Sequence, residues 1–237
     1  GNWVGGELCV RKNNWISDKG IITSQSGTTL TYQNISGDWH TNGWGYFLQN
    51  HPLALDQNGD WYYNSTNQRI VLFSTVTPGS AKVSNIARLV QLNNYSASFS
   101  NIDFEGANDF TFYITNSNST TITNSTIQFS GSFAFYANGS ANLRVEGCNI
   151  SYSNNEAFLI QGSPNSMIRN NTINYTGIEG AGQGLNVTNL EYSAISISGS
   201  DGAIISGNNI SNTGYNAIHF LFGNNYTIQN NFINRFN

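Results

Sequence analysis

Apolar residues recur at a nearly fixed spacing along the part of the chain that follows residue 86. The repeat is anchored on six residues, namely Ile102, Ile127, Ile150, Ile173, Ile210 and Ile233. Three of the five steps between consecutive anchors are 23 residues long, the first is 25, and the step from Ile173 to Ile210 is 37, which is one period plus 14. A fixed period in this range is typical of proteins built from stacked structural repeats.

Further positions keep the same register in all six repeats. The residues fifteen, thirteen and five before each anchor are apolar throughout, and the residue four after it is always glycine or asparagine. Glycine and asparagine accept the positive φ of a tight bend, so each period is expected to hold three short strands separated by turns. Because one such unit cannot bury its apolar face alone, the pattern predicts an all-β solenoid, a parallel β-helix with roughly 23 residues per coil.

The position two before each anchor predicts a hydrogen-bond ladder inside this solenoid. It is occupied by Ser100, Ser125, Cys148, Asn171, Asn208 and Asn231. Polar side chains that stack from coil to coil can hydrogen-bond along the stack. We expect the asparagines of the last coils to form its most regular part.

Composition excludes several other classes of protein. Charged residues make up 9% of the chain and hydrophobic residues 38%, with a net charge of -4. So little charge is unusual for helical bundles, and this apolar content is too high for a disordered chain. The 9 Lys and Arg against 13 Asp and Glu give no basic surface for nucleic acid, and no run approaches the ~18 apolar residues of a membrane span.

The first 85 residues do not follow the register of the later repeats. We interpret 1–85 as early coils with an aromatic-rich hairpin that turns at Asn58 and Gly59, and 86–237 as regular coils. The two parts are predicted to form one continuous domain, a piece of a longer or processed chain.

Two stretches carry a resemblance to a known family. Residues 45–50 followed by 55–63 resemble a hairpin-bearing segment near the start of right-handed parallel β-helices of the pectate-lyase-like type, and residues 214–220 followed by Asn230 and Asn231 resemble coils further along them. The resemblance covers most of the chain. It implies a right-handed β-helix of the kind found in secreted bacterial proteins that process carbohydrates.

The 14-residue excess lies in an insertion at 178–192, between the last strand of one coil and the first strand of the next. Insertions into solenoids emerge on one face and commonly build the binding site. This one contains Glu179, Glu191 and Tyr192, and it emerges beside a row of side chains predicted to point outward. The row consists of Tyr113, Tyr136, Leu159, Ser196 and His219.

This row and the insertion supply the candidate site. Tyr113, Tyr136, Tyr192 and Ser196 are candidates for binding sugar rings, because aromatic side chains offer apolar faces with polar handles. Histidine is the side chain best suited to proton transfer near neutral pH, so His219 is a candidate acid or base together with Glu179 or Glu191. The alternative interpretation is a ladder of stacked surface side chains beside a solvated loop.

Other groups offer weaker candidates for chemistry. Asp103 and Glu105 lie two apart on one predicted strand, as in the carboxylate pair of an inverting glycosidase, and Asp109 would complete a calcium site with them. Neither interpretation has a supporting motif, so we expect no cofactor. Arginine would stabilise the anion formed by a lyase, but Arg144 and Arg169 fall in different columns. Cys9 and Cys148 are predicted to be buried thiols, although spacing leaves a disulfide open.

Two functions remain open at this point. The first is a secreted or cell-surface β-helix domain that binds a polysaccharide or other glycan and cleaves it by hydrolysis or elimination. The second is a surface protein without catalytic activity, an adhesin or stalk, in which the solenoid is a rigid spacer or a glycan-binding face. In both cases the expected partners are glycans and further domains of the same parent chain.

Overall fold

The structure is a computed structural model that describes residues 1–12, 17–33, 42–177 and 192–236. These residues form β-strands and one short 3₁₀ turn at Pro52–Ala54. The chain divides into two compact units, with the boundary between Lys82 and Val83. No helix among the described residues is long and apolar enough to cross a membrane.

The first unit contains antiparallel strands. They are β1 (Glu7–Arg11), β2 (Ser17–Ser26), β3 (Thr29–Tyr32) and β4 (Tyr46–Gln49) in one sheet, and β5 (Trp61–Asn64) and β6 (Arg69–Leu72) in a hairpin. The order in the four-stranded sheet is β3, β2, β1, β4. The structure therefore differs from the expectation that 1–85 form early coils of one continuous domain, because none of these described strands pairs in parallel.

The aromatic-rich hairpin exists, but its turn lies elsewhere. Its strands pair Trp61 with Leu72 and Asn64 with Arg69, so the connection between them is 65–68 rather than the turn at Asn58 and Gly59. Gly59, at φ +103, lies just before the hairpin, and its backbone N–H donates to the carbonyl of Phe73.

The second unit is a parallel β-helix of six coils with three strands in each. Sheet 1 contains β7 (Arg88–Asn93), β10 (Phe110–Thr115), β13 (Phe135–Asn138), β16 (Phe158–Gln161), β19 (Ile195–Ser198) and β22 (Ile218–Leu221). Sheet 2 contains β8 (Ser98–Ser100), β11 (Thr121–Thr123), β14 (Arg144–Glu146), β17 (Met167–Arg169), β20 (Ile204–Ser206) and β23 (Thr227–Gln229). Sheet 3 contains β9 (Asp103–Ala107), β12 (Thr126–Ser130), β15 (Asn149–Ser153), β18 (Thr172–Thr176), β21 (Asn209–Thr213) and β24 (Phe232–Phe236). The predicted fold class and the repeat of about 23 residues are confirmed.

The core is a set of apolar columns that run through the coils. Phe112, Phe135 and Phe158 stack face to face, with ring centroids 4.8 and 4.7 Å apart. The isoleucines at three anchors, Ile127, Ile150 and Ile173, are fully buried and pair in register across sheet 3. Each coil thereby buries apolar surface that it could not bury alone.

The first coil is in a different register from the predicted one. Phe104, not Ile102, pairs with Ile127, so this step is also 23 residues. The inward residues of the coil are Val90, Leu92 and Phe99 rather than Ala87, Leu89 and Ala97. The larger side chains fill the interior, whereas the backbone N–H of Ile102 donates to Ser125 Oγ at the ladder position.

The predicted asparagine ladder is present. Asn208 donates from Nδ2 to the carbonyl of Ile168 at 2.9 Å and to Asn231 Oδ1 at 2.9 Å. Its own Oδ1 accepts from the backbone N–H and the Nδ2 of Asn171, at 3.0 and 3.1 Å. The ladder continues to the backbone N–H of Cys148, which donates to Asn171 Oδ1 at 2.8 Å.

A second ladder, which the sequence analysis missed, is made of serines. Ser117, Ser140, Ser163 and Ser200 are fully buried, and each of the first three donates its backbone N–H to the hydroxyl of the next. In the last coil the corresponding residue is Gly223, and the Tyr226 hydroxyl accepts the N–H of Ser200 instead. A Cβ on Gly223 would lie 2.2 Å from that hydroxyl, so glycine leaves room for the tyrosine.

Candidate functional site

The predicted row on sheet 1 is confirmed by the strand register. Tyr113 pairs with Tyr136, Leu159 with Ser196, and Ser196 with His219. The remaining pair in the row joins Tyr136 to Leu159. The alternating pattern on this sheet therefore places all five side chains on one line along the stack.

The faces of the two tyrosine rings in this row are covered by protein. The rings of Tyr113 and Tyr136 stack with centroids 5.0 Å apart and an interplanar angle of 13°. The guanidinium of Arg88 lies 3.7 Å from the centroid of Tyr113, and Phe110 packs edge-on against the same ring. Tyr113 thus offers a ligand its edge and hydroxyl rather than an open face.

Two predicted binding residues are buried. Ser196 is 0% exposed and Tyr192 is 6% exposed. The backbone N–H of Tyr192 donates to Asn155 Oδ1 at 3.1 Å, and its φ is +67°. Neither side chain provides an open platform for sugar, and the half-exposed part of the row is Tyr113, Tyr136, Leu159 and His219.

A buried carboxylate, Glu156, lies next to this row. Glu156 is 0% exposed, and Ser196 Oγ donates to its Oε1 at 3.4 Å. Burying a carboxylate is costly unless hydrogen bonds satisfy it, so such groups are frequently functional. The sequence analysis missed Glu156. Its position in the repeat is occupied in other coils by the uncharged residues Phe133, Ser193 and Asn216, so a charged residue there was a visible exception.

His219 occupies the position of the row one coil beyond Ser196. It is half-buried on β22 and pairs with Ser196 of β19. Within the part of the chain that the structure describes, its Nδ1 is buried and has no hydrogen-bond partner. The predicted partners of His219 in acid and base chemistry, Glu179 and Glu191, lie outside the described residues.

The other candidate carboxylates do not gather into a metal site. Asp103 and Glu105 are exposed on either side of Phe104, as predicted for an i, i+2 pair on a strand. Burial raises the pKa of Asp109, and the Arg88 charge opposes that shift. In the ranges that the structure covers, no three His, Cys, Asp or Glu residues come together in a way that could hold a metal ion.

Arg144 and Arg169 on sheet 2 form ion pairs with Glu146. Arg144 and Arg169 lie in different columns of sheet 2, as predicted, because Arg144 pairs with Met167 and Glu146 pairs with Arg169. Arg144 Nε donates to Glu146 Oε2 at 2.8 Å, and an Arg169 guanidinium nitrogen lies 3.6 Å from Oε1. The hydrogen bond from Arg144 is the largest effect that lowers the pKa of Glu146.

Both cysteines are buried thiols, and no disulfide joins them. This agrees with the prediction of two buried thiols and excludes the disulfide that spacing had left open. Burial raises the pKa of the Cys148 thiol.

A second aromatic row lies on sheet 3 and was not anticipated. Phe129 and Tyr152 stack with centroids 5.0 Å apart at 9°, and Tyr152 and Tyr175 stack at 5.2 Å and 0°. The three residues are 48%, 45% and 40% exposed, respectively. This row can be read from the sequence as the position two residues after each anchor. Phe104 must then be taken as the first anchor in place of Ile102.

The family comparison agrees with this geometry. The family described as right handed beta helix region matches residues 74–191. No curated protein and no solved structure shows significant similarity to the chain.

Proposed function

The chain is a right-handed parallel β-helix protein, and from this premise we propose that it binds a polysaccharide outside the cell, either secreted or attached to the cell surface. The fold is compatible with both carbohydrate-active enzymes and surface proteins without catalytic activity. The proposal therefore depends on the side chains that the solenoid displays rather than on the fold alone.

The observation that carries the proposal is the neutral outer surface of sheets 1 and 3. On sheet 3, the four coils from β12 to β21 place the rows Thr126, Asn149, Thr172 and Asn209, and Gln128, Ser151, Asn174 and Ser211, beside the exposed aromatic rings. On sheet 1, the half-exposed side chains of Tyr113, Tyr136 and Leu159 are also uncharged. Hydroxyl and amide groups next to aromatic rings match the hydroxyls and apolar faces of sugars.

The repetition of side chains along the stack favours a polymer as the ligand. Equivalent side chains repeat from coil to coil at the spacing of neighbouring strands, about 4.8 Å. A row of this kind presents the same chemistry several times along one line. A linear polymer of similar units engages several of these positions at once, so weak contacts add up.

Cleavage is a second candidate function, and Glu156 favours it. The buried carboxylate of Glu156 accepts a hydrogen bond from the Ser196 hydroxyl at the edge of the row on sheet 1, and the half-buried His219 lies on the strand that pairs with that of Ser196. Such a group supplies an acid or base for glycosidic bond cleavage if substrate reaches it. Glu156 and His219 are the groups on which we base this proposal.

The test is incubation of the full chain with neutral and uronate-containing polysaccharides. Binding is measured by calorimetry, and cleavage by new reducing ends together with the ultraviolet absorbance of unsaturated products. New ends without absorbance would establish hydrolysis, and new ends with absorbance would establish elimination. Binding without new reducing ends would show that the protein recognises polysaccharides and does not cleave them. Absence of binding across the panel would overturn the proposal.

Substitutions of Glu156 and His219 test whether these side chains are responsible for any cleavage. Glu156→Gln and His219→Ala are expected to lower the rate by about a hundredfold or more if these side chains transfer protons. Glu146→Gln, which changes a carboxylate on sheet 2, is the matched control and should leave the rate unchanged. Equal rates for all three variants would exclude the Glu156 group from catalysis.

A further inference from the structure

The aromatic row on sheet 3 lies at a position where the backbone is strained. It occupies a bulge in each coil, at which the residue has a positive φ and is skipped by the ladder pairing on either side. The row consists of Gly106, Phe129, Tyr152, Tyr175, Asn212 and Arg235, with φ between 51° and 79°. Because all six coils share this conformation, the fold itself imposes it.

Aromatic residues at three of these positions destabilise the fold. Glycine and asparagine adopt positive φ readily, and the first and fifth coils use them. Bulky residues in this region cost about 1–3 kcal/mol each, and strain of this kind concentrates at functional sites. The rings of Phe129, Tyr152 and Tyr175 also leave apolar surface in water, so stacking on one another compensates only part of the cost.

The stack has one open end. Tyr152 covers one face of Phe129, and the opposite face points to the first coil, where the row has Gly106. A Cβ on Gly106 would meet only the Cβ of Ser84, at 3.8 Å, within 4 Å. The position where the first coil would carry a fourth ring is therefore open, next to an exposed aromatic face.

The surrounding charges select the kind of ring that can enter. Asp103 and Glu105 flank the open position on β9, and the next coils add the neutral side chains of Gln128 and Ser151. Along the described residues of this row, the one cation is Arg235, which lies in the last coil, five coils away. The exposed carboxylate of Asp103 gives this end of the row a negative charge that would repel an anionic sugar, whereas a neutral sugar would meet no such repulsion beside the apolar face.

We propose that the pyranose ring of a neutral polysaccharide stacks on Phe129 above Gly106, as a fourth layer of the aromatic row. This inference deepens the proposed function, on which it rests, by naming a subsite on sheet 3 and the neutral class of glycan that it takes. The rest of the polymer follows the row of Gln128, Ser151 and Asn174 along the stack.

The test fills the open position with a ring of the protein itself. Gly106→Tyr should fold, because Tyr152 and Tyr175 adopt the same positive φ in the same row. We expect it to lower affinity for neutral hexaoses of glucose, xylose and mannose by about tenfold or more, and Phe129→Ala to do the same. The matched control is Asn212→Tyr, which adds a ring at the other end of the row and should leave affinity within about twofold.

The outcomes separate this inference from the proposed function. If the unmodified chain binds a neutral hexaose and Gly106→Tyr binds it equally well, the subsite is wrong although the proposed function stands. If the unmodified chain binds a uronate-containing polysaccharide but no neutral glycan, this inference is overturned although the proposed function stands, and if it binds neither, both are overturned. Should either variant fail to fold, the ring protons of Phe129 in the unmodified chain give the answer, because ligand stacking predicts that their chemical shifts change on titration and unchanged shifts would exclude it.

Discussion

A buried asparagine stabilises a fold only if its amide finds hydrogen-bond partners, and the ladder in this protein provides them in every late coil. Asn171 and Asn208 are each about 1% exposed and bond to the coil on either side. The identity of these residues was predictable from the column two before each anchor. Glu156 was not, because its burial depends on the path of a turn that the repeat pattern does not determine.

Replacement of one ladder residue tests this account. Asn208→Ala removes two donated and two accepted hydrogen bonds and leaves buried groups of Asn171 and Ile168 without a partner. We expect a loss of about 2–4 kcal/mol in the free energy of unfolding, measured with urea. Asn231→Ala, at the half-buried end of the ladder, is the control and should cost clearly less; equal costs would contradict the ladder account.

The ion pairs of Glu146 predict a small pH dependence of stability. The pKa of Glu146 is lower in the folded protein than its usual 4.5, mainly because Arg144 donates a hydrogen bond to it. The pair therefore stabilises the fold above the unfolded pKa, and this contribution disappears as the pH falls through the folded pKa.

Glu146→Gln isolates this contribution. Because the pair is close to solvent, the variant should be less stable than the unmodified chain by less than about 1 kcal/mol at pH 7, and the difference should disappear at an acidic pH below the folded pKa of Glu146. Urea unfolding at both pH values measures it. A difference that persists unchanged at low pH would mean that the charge pair is not its source.

At the scale of the strands and turns, the sequence predicted the coil pattern and misplaced one coil. Five anchors were correct, whereas the first coil has Phe104 in the place assigned to Ile102 because both are apolar and only two residues apart. Two of the four glycines in the column four after the predicted anchors were also assigned the wrong cause, whereas Gly106 and Gly177 have the expected positive φ. Gly131 and Gly214 do not have positive φ; they allow neighbouring coils to approach closely.

Close approach makes Gly214 sensitive to any side chain. A Cβ at this position would lie 1.7 Å from the carbonyl oxygen of Gly177, which is backbone and cannot rotate away. We expect Gly214→Asn to lower the free energy of unfolding by about 1–3 kcal/mol or to prevent folding.

The same substitution at another turn is the control. Gly199 has φ +57, which asparagine tolerates, and a Cβ there meets only the backbone nitrogen of Gly162 at 4.0 Å. Gly199→Asn should therefore change the stability by no more than about 0.5 kcal/mol in thermal or urea unfolding. If both variants lost the same stability, steric contact between coils would not explain Gly214.

At the scale of the whole molecule, periodicity was sufficient to predict the β-helix but not the first unit. The strands of 1–82 pair antiparallel and lack the 23-residue repeat, so their short apolar stretches could not be told apart from irregular coils. For the candidate site, strand alternation correctly placed Tyr113, Tyr136 and His219 in one row. It could not show that stacking covers the tyrosine faces, because that depends on side-chain orientation.

The central claim is that this β-helix recognises neutral polysaccharides through its uncharged outer faces, and calorimetric titration of the full chain with neutral and polyanionic polysaccharides tests it most directly. The account predicts saturable binding of at least one neutral polysaccharide, with an affinity that changes little between low and high salt because no charges are paired. Binding restricted to polyanionic glycans and lost at high salt, or no binding to any polysaccharide, would contradict it.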